Sequence, residues 1–109
     1  MNFRGALILK KVTEEHKRII KDRASLIKAM AHPVRLCVLD KLINEGEKNV
    51  TEIVDCMDVT QSNLSQHLSK LRDLGIVEAR KEGNLIYYSV ERKDVISIVK
   101  VIMRGAEWK

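Results

Sequence analysis

Residues 59–89, VTQSNLSQHLSKLRDLGIVEARKEGNLIYYS, decide the fold. Leu64, Leu68, Leu71 and Leu74 recur at spacings of four, three and three, which is one stripe of a helix. At about 100° per residue the opposite face carries Ser62, Ser65, Gln66 and Ser69, with Gln61 at its N-terminal edge. A face that only meets water is better served by Lys and Glu. Small hydroxyls and amides instead suit base edges, since Gln pairs with adenine and Ser with several groups of the major groove. Thr60 has the side chain of an N-cap, and Gly75 stands where a left-handed residue closes a helix. Ile76 and Val77 then begin a strand, and residues 85–90 (LIYYSV) make another, rich in β-branched and aromatic residues. Arg80, Lys81, Glu82, Gly83 and Asn84 form a basic turn between them. A hairpin is marginal alone, so it must pack on the helices. The pattern predicts a recognition helix followed by a wing; the blander alternative is an ordinary hairpin with a solvated basic turn.

The chain before this stretch reads as short helices. One runs over about 13–30 and contributes Ile19, Ile20, Leu26, Ile27 and Met30. Pro33 breaks it, disfavouring a helical His32 and starting the next helix. That helix, about 34–44, is apolar on two sides, with Leu36, Leu39 and Ile43 against Val34, Cys37 and Val38, so it must be sandwiched. Glu45 and Gly46 end it. Thr51 is expected to cap a short helix, TEIVDCM, and Asp58-Val59 to join it to the recognition helix. Two short helices joined by a tight turn are the helix-turn-helix arrangement.

Near the C-terminus, DVISIVKVIMR leaves little polar face, so the helix over about 92–105 must be buried on most of its circumference. A second copy of the chain is the natural cover, joined by the N-terminal helix. Leu26, Val95, Ile98, Val99 and Ile102 are the expected interface. Twofold symmetry would then set two recognition helices about one DNA turn apart on a palindromic site.

A length of 109 residues means one domain: N-terminal helix 13–30, helix-turn-helix 51–74, wing 76–90 and C-terminal helix 92–105. Aromatics are only 4%, so the core is aliphatic. The net charge of +5 is uneven. Residues 1–30 hold eight Lys/Arg against three acids, residues 31–60 three against six, and residues 61–109 nine against six. Two basic ends around an acidic middle favour a polyanion on one surface. The apolar run 6–9 is too short for a signal-peptide core, and no stretch approaches the roughly 20 apolar residues of a membrane span. Two cysteines without a secretory signal suggest a reducing, cytoplasmic setting.

The runs HPVRLCVLDKLINEG and VTEIVDCMDVTQSNLSQHLSKLRDLGIVEARKEGNLIYYSV resemble the ArsR/SmtB winged helix-turn-helix repressors, over roughly residues 24–103. The resemblance implies a mainly α fold with a small β-hairpin wing (α+β), dimerising through its terminal helices. It implies a homodimer that binds an inverted-repeat operator in double-stranded promoter DNA and is released by a small inducer. The short helix before Thr60 and the block Gln61, Ser62, Asn63, Ser65, Gln66 and His67 would read DNA, extended by Ser69 and Lys70. Arg80, Lys81 and Asn84 would serve in the wing.

Three sensor sites of that family are incomplete here. Where metal sensors carry Cys-x-Cys this chain has Asn49-Val50-Thr51. Where others use Asp and His on the last helix it has Asp94 but no histidine after His67. Where persulfide sensors place two cysteines it has Asp40 and Arg104-Gly105-Ala106. No metal site or cofactor is therefore expected, although a metal- or metalloid-responsive repressor stays as an alternative.

Cys37 and Cys56 remain. Free cysteines are usually small core residues. The functional alternative is a thiol pair bridging the second and third helices and answering an oxidant, a sulfur species or a soft ion, where forming a bond would tilt the recognition unit and weaken DNA binding. His16 and His32 flank the first helix and read as surface residues, and His67 as a phosphate or packing contact. No nucleophile–base pair, carboxylate cluster or phosphate loop suggests an enzyme. A noncatalytic protein-interaction module would want an apolar recognition face in place of Ser and Gln.

Overall fold

The computed structural model describes residues 11–106. The run 6–9 lies outside them. Thr13 Oγ1 accepts from His16 N at 3.0 Å and starts α1, Glu14–Met30. Only Leu26, Ala29 and Met30 of this helix are buried, so its N-terminal part leaves Ile19 and Ile20 exposed.

His32 is extended, and its Nδ1 accepts from Val34 N at 3.1 Å. Pro33 then opens α2, Pro33–Glu45, as its missing N–H allows. This is the central helix. It packs on the recognition-helix candidate, the C-terminal helix and the sheet, burying Val34, Val38, Leu39 and Leu42. Asp40 and Lys41 are buried with them. Asp40 Oδ1 accepts from Asn44 Nδ2 at 2.8 Å, and Lys41 Nζ donates to Asp55 Oδ1 at 3.0 Å.

Strand β1, Lys48–Asn49, leads into α3, Val50–Ile53. Asn49, not Thr51, caps α3: Asn49 Oδ1 accepts from Glu52 N and Glu52 Oε1 from Asn49 N, each at 3.0 Å. This reciprocal box satisfies two orphan donors, which Thr51 inside the helix cannot do. A 3-10 turn, Cys56–Asp58, follows, and Met57 and Asp58 have φ of 56° and 52°. Successive non-glycine residues in this left-handed region cost of order 1–3 kcal/mol each.

Thr60 Oγ1 accepts from Asn63 N at 3.0 Å and caps α4, Gln61–Asp73. Leu64, Leu68 and Leu71 are fully buried, a gain of about 1.5–3 kcal/mol each. Leu74 is not part of the stripe: it is the C-cap and 45% exposed, because the chain leaves the helix there. Gly75, φ +72°, turns the chain so that Ile76 N donates to Leu71 O. Ile76 and Val77 are buried but precede the ladder.

Strands β2, Glu78–Glu82, and β3, Leu85–Ser89, pair antiparallel from Glu78 opposite Ser89 to Glu82 opposite Leu85. Strand β1 pairs with the other edge of β3, Lys48 opposite Tyr88, giving the order β1-β3-β2. Finally α5, Lys93–Ile102, lays Val95 and Val99 into the core. The expectation that Leu26, Val95 and Val99 face a second copy is thereby corrected: α2 and its neighbours already cover them. Ile98 is half-buried against the same core, and only Ile102 of the five is exposed, at 57%. No helix among the described residues is long and apolar enough to cross a membrane.

Leu68→Ala should lower the unfolding free energy by about 2–5 kcal/mol in urea titration. Leu74→Ala should cost only about 0.5 kcal/mol, as at other surface positions. Equal losses at the two sites would contradict the boundary of the stripe.

Candidate nucleic-acid interface

Burial of the leucine stripe leaves one way for α4 to face. Gln61, Ser62, Asn63, Gln66 and Lys70 are exposed, and Ser65 and Ser69 are half-exposed. Ser62, Ser65, Gln66, Ser69, Lys70 and Asp73 line one shallow, open depression along the helix. The sequence placed all but Asp73 there. The Ser and Gln groups among them are small or flat donors and acceptors, with the Lys70 ammonium and the Asp73 carboxylate at one end of the row. Thr60 differs: its hydroxyl accepts the Asn63 amide and so serves the helix end.

His67 is on the flank, partly buried rather than outward. Its Nδ1 accepts from Arg35 Nε at 3.1 Å, and its ring lies 4.5 Å from that of His32, centroid to centroid. Arg35 Nη1 also donates to Ala29 O at 3.1 Å. One guanidinium thus ties the end of α1, the start of α2 and the middle of α4. Partial burial first, then the neighbouring His32 and Arg35, holds the His67 imidazole below its ordinary value. An Nδ1 that accepts from Arg35 cannot also carry a proton.

The wing differs from expectation at Arg80. Its Nη2 and Nε bind Glu47 Oε1 and Oε2 at 2.6 and 3.2 Å, and Nη1 binds Glu82 Oε2 at 2.6 Å. The guanidinium also sits 5.0 Å above the Tyr87 ring. Hydrogen bonding from Arg80 holds the Glu47 carboxyl below its ordinary range, and the same contacts raise Arg80. Arg80 is therefore a brace between the wing and the segment before β1. Glu47 lies 33 positions earlier in the chain, a separation that local pattern does not reveal. Lys81 and Asn84 are exposed on the wing, beside Gly83 at φ +62°.

Cys37 of α2 and Cys56 of the 3-10 turn are joined by a disulfide, with their Cα atoms 5.9 Å apart. Among the described residues no three His, Cys, Asp or Glu side chains are grouped to hold a metal ion.

A capped helix with an outward polar face, set behind a short helix and a tight turn and followed by a braced hairpin, defines the winged helix-turn-helix class. The family described as "Bacterial regulatory protein, arsR family" matches residues 32–79, from the α2 cap through the recognition-helix candidate to β2. The transcriptional repressor PagR of Bacillus anthracis is 37% identical over 83 residues, 76% of this chain and 83% of that protein. The crystal structure of NolR from Sinorhizobium fredii superposes with a TM-score of 0.78 at 35% identity, covering 91% of this chain and all of that one. Reduced HlyU from Vibrio cholerae superposes with a TM-score of 0.77 at 31% identity, over 87% of this chain and all of that one. The chain belongs to the arsR family of bacterial regulatory proteins, whose members are DNA-binding transcription regulators.

The His67 contact predicts a pH effect. The unfolded chain takes up its proton near 6.5, whereas the folded imidazole does so only at lower pH. Its stabilising contribution is therefore complete above about 6.5 and is lost as pH falls through the folded value. His67→Asn keeps an acceptor for Arg35 without a titrating ring. Urea titrations at pH 7.5 and 5.5 should show a smaller loss in this variant than in the wild type. Identical losses would remove His67 from the account.

Proposed function

We propose that this chain is a sequence-specific transcriptional repressor that binds an inverted repeat in promoter DNA as a homodimer, with no metal or other resident cofactor. The observation that carries it is the outward row of Ser62, Ser65, Gln66 and Ser69 on α4, held in that rotation by three fully buried leucines. Gln61, Ser62, Asn63, Ser65 and Gln66 meet base edges in the major groove. Lys70 and Lys81 meet phosphates, and Asn84 reaches the backbone from the wing tip. Thr60 and His67 position α4, and Arg80 positions the wing. The named repressor PagR supports the sign of regulation, since a protein seated on a promoter excludes other occupants.

Exposed apolar side chains support the dimer. Ile19, Ile20 and Ile27 of α1 are 40%, 51% and 56% exposed, and Val101 and Ile102 at the end of α5 are 60% and 57% exposed. Burying these against a second copy removes apolar surface from water and gives the twofold axis an inverted repeat requires. The inducer acts at Cys37 and Cys56, the latter in the turn just ahead of α4.

Anisotropy titrations on the protein's own promoter test the assignment. Gln61→Ala, Ser62→Ala or Ser65→Ala should each narrow the gap between operator and random duplex by about 1–3 kcal/mol. Lys81→Ala should weaken both duplexes alike and flatten the salt dependence by about one unit. A wild type that prefers no sequence at moderate salt would overturn the proposal.

The assembly has its own test. Ile20→Glu with Ile102→Glu would place unpaired charges in the twofold interface, and light scattering should then report monomers and the titration a loss of operator binding. A wild type that is monomeric at micromolar concentration would contradict the dimer.

A further inference from the structure

The DNA-facing geometry makes no use of the Cys37–Cys56 bond, yet that bond is placed to control it. Cys37 is half-exposed on α2, and Cys56 is 2% exposed in the turn between α3 and α4. Lys41, one helical turn beyond Cys37, donates to Asp55 Oδ1 and Oδ2 at 3.0 and 3.3 Å. A covalent and an ionic tie thus fasten α2 to residues 55 and 56 side by side. Directly after Cys56 come Met57 and Asp58, both left-handed, with Met57 55% exposed. Burial of its side chain does not explain the conformation of Met57. Val59 and then Thr60, the cap of α4, follow at once. Tie, strained turn and recognition-helix cap stand in series over five residues, 56–60.

We propose that the Cys37–Cys56 disulfide is a redox-sensitive strut of the helix-turn-helix. Closed, it holds the left-handed turn and seats α4 for DNA; opened by a dithiol reductant, it lets the turn relax and lowers DNA affinity. The proposal rests on the DNA-binding function proposed above. A thiolate of the dithiol attacks the accessible Cys37 Sγ, the Cys37–Cys56 bond breaks, and Cys56 leaves as a thiolate that takes a proton. The second thiol of the reductant then displaces Cys37 from the mixed disulfide, and Cys37 is protonated in turn. The reductant ends as a disulfide, oxidised by two electrons, and the protein holds two thiols.

This direction is opposite to the expectation from sequence that forming the bond weakens DNA binding, and the turn between Cys56 and Thr60 is the reason. A left-handed pair of non-glycine residues persists only where its surroundings impose it. With the disulfide open, α2 and the turn keep their apolar packing and the Lys41–Asp55 ion pair, whose carboxylate side chain is 73% exposed and screened by water. Neither fixes the backbone as a covalent bond does, so the open turn is freer to leave the left-handed region.

Oxidised and dithiol-treated protein should be compared by intact mass after alkylation, to count thiols, and by anisotropy on the promoter duplex. Reduction should expose two thiols and weaken binding by at least about tenfold. The double substitution Met57→Gly with Asp58→Gly should bind equally well in both states, because glycine adopts positive φ without strain. Equal wild-type affinity in the two states, tighter binding on reduction, or cysteines that never pair in an oxidising glutathione buffer would each overturn the strut. Should neither state prefer promoter over random duplex, the DNA-binding assignment fails instead. Amide hydrogen exchange at residues 57–61 then decides the strut alone: it must quicken on reduction, and unchanged exchange overturns it.

Discussion

The burial of Leu64, Leu68 and Leu71 on the central helix α2 sets the rotation of α4, and everything outward on α4 follows from that rotation. A helix turned by one residue would bring Ser65 or Ser69 into an aliphatic core, where an unpaired hydroxyl is costly. The same packing that stabilises the domain therefore aims its polar face. The helix-turn-helix is also tied at both ends of that contact, by Arg35 to His67 in the middle of α4 and by Lys41 and Cys37 to the turn before it.

Charge is distributed less simply than composition suggests. Four of the twenty Lys and Arg residues act as braces: Arg35 on His67 and Ala29, Lys41 on Asp55, Arg80 on Glu47 and Glu82, and Arg92 on Asp94. Positive charge turned outward beside the polar face is narrower, with Lys70 on α4 and Lys81 on the wing both exposed. The braces give α2 a role beyond packing, since its Arg35, Cys37 and Lys41 fix the elements around the candidate interface.

What was legible in the sequence was local. Thr60, Pro33 and Gly75 act through their own backbone or one turn away, so their roles at helix ends were readable from residue type. The leucine stripe was readable because helical period fixes a face, but its last member was not: Leu74 fits the spacing and lies past the helix end. Asn49 was missed although Asn-x-x-Glu is a capping signal, because β1 is only two residues long and gave no pattern of its own. Long-range partners were beyond the reach of spacing. The Arg80–Glu47 pair and the burial of Val95 and Val99 depend on how separate elements meet. Sequence leaves Cys37 and Cys56 open as core or reactive residues, because their pairing depends on how α2 meets the turn before α4.

The central claim is that the polar face of α4, together with the wing tip, is the surface that meets DNA. Titrating isotope-labelled protein with its promoter duplex and following backbone amide NMR signals tests this directly. Perturbations should concentrate between residues 60 and 70 and around residues 81–84, while the exposed N-terminal half of α1 stays unchanged. Perturbations confined to α1 and α5, with α4 silent, would contradict it.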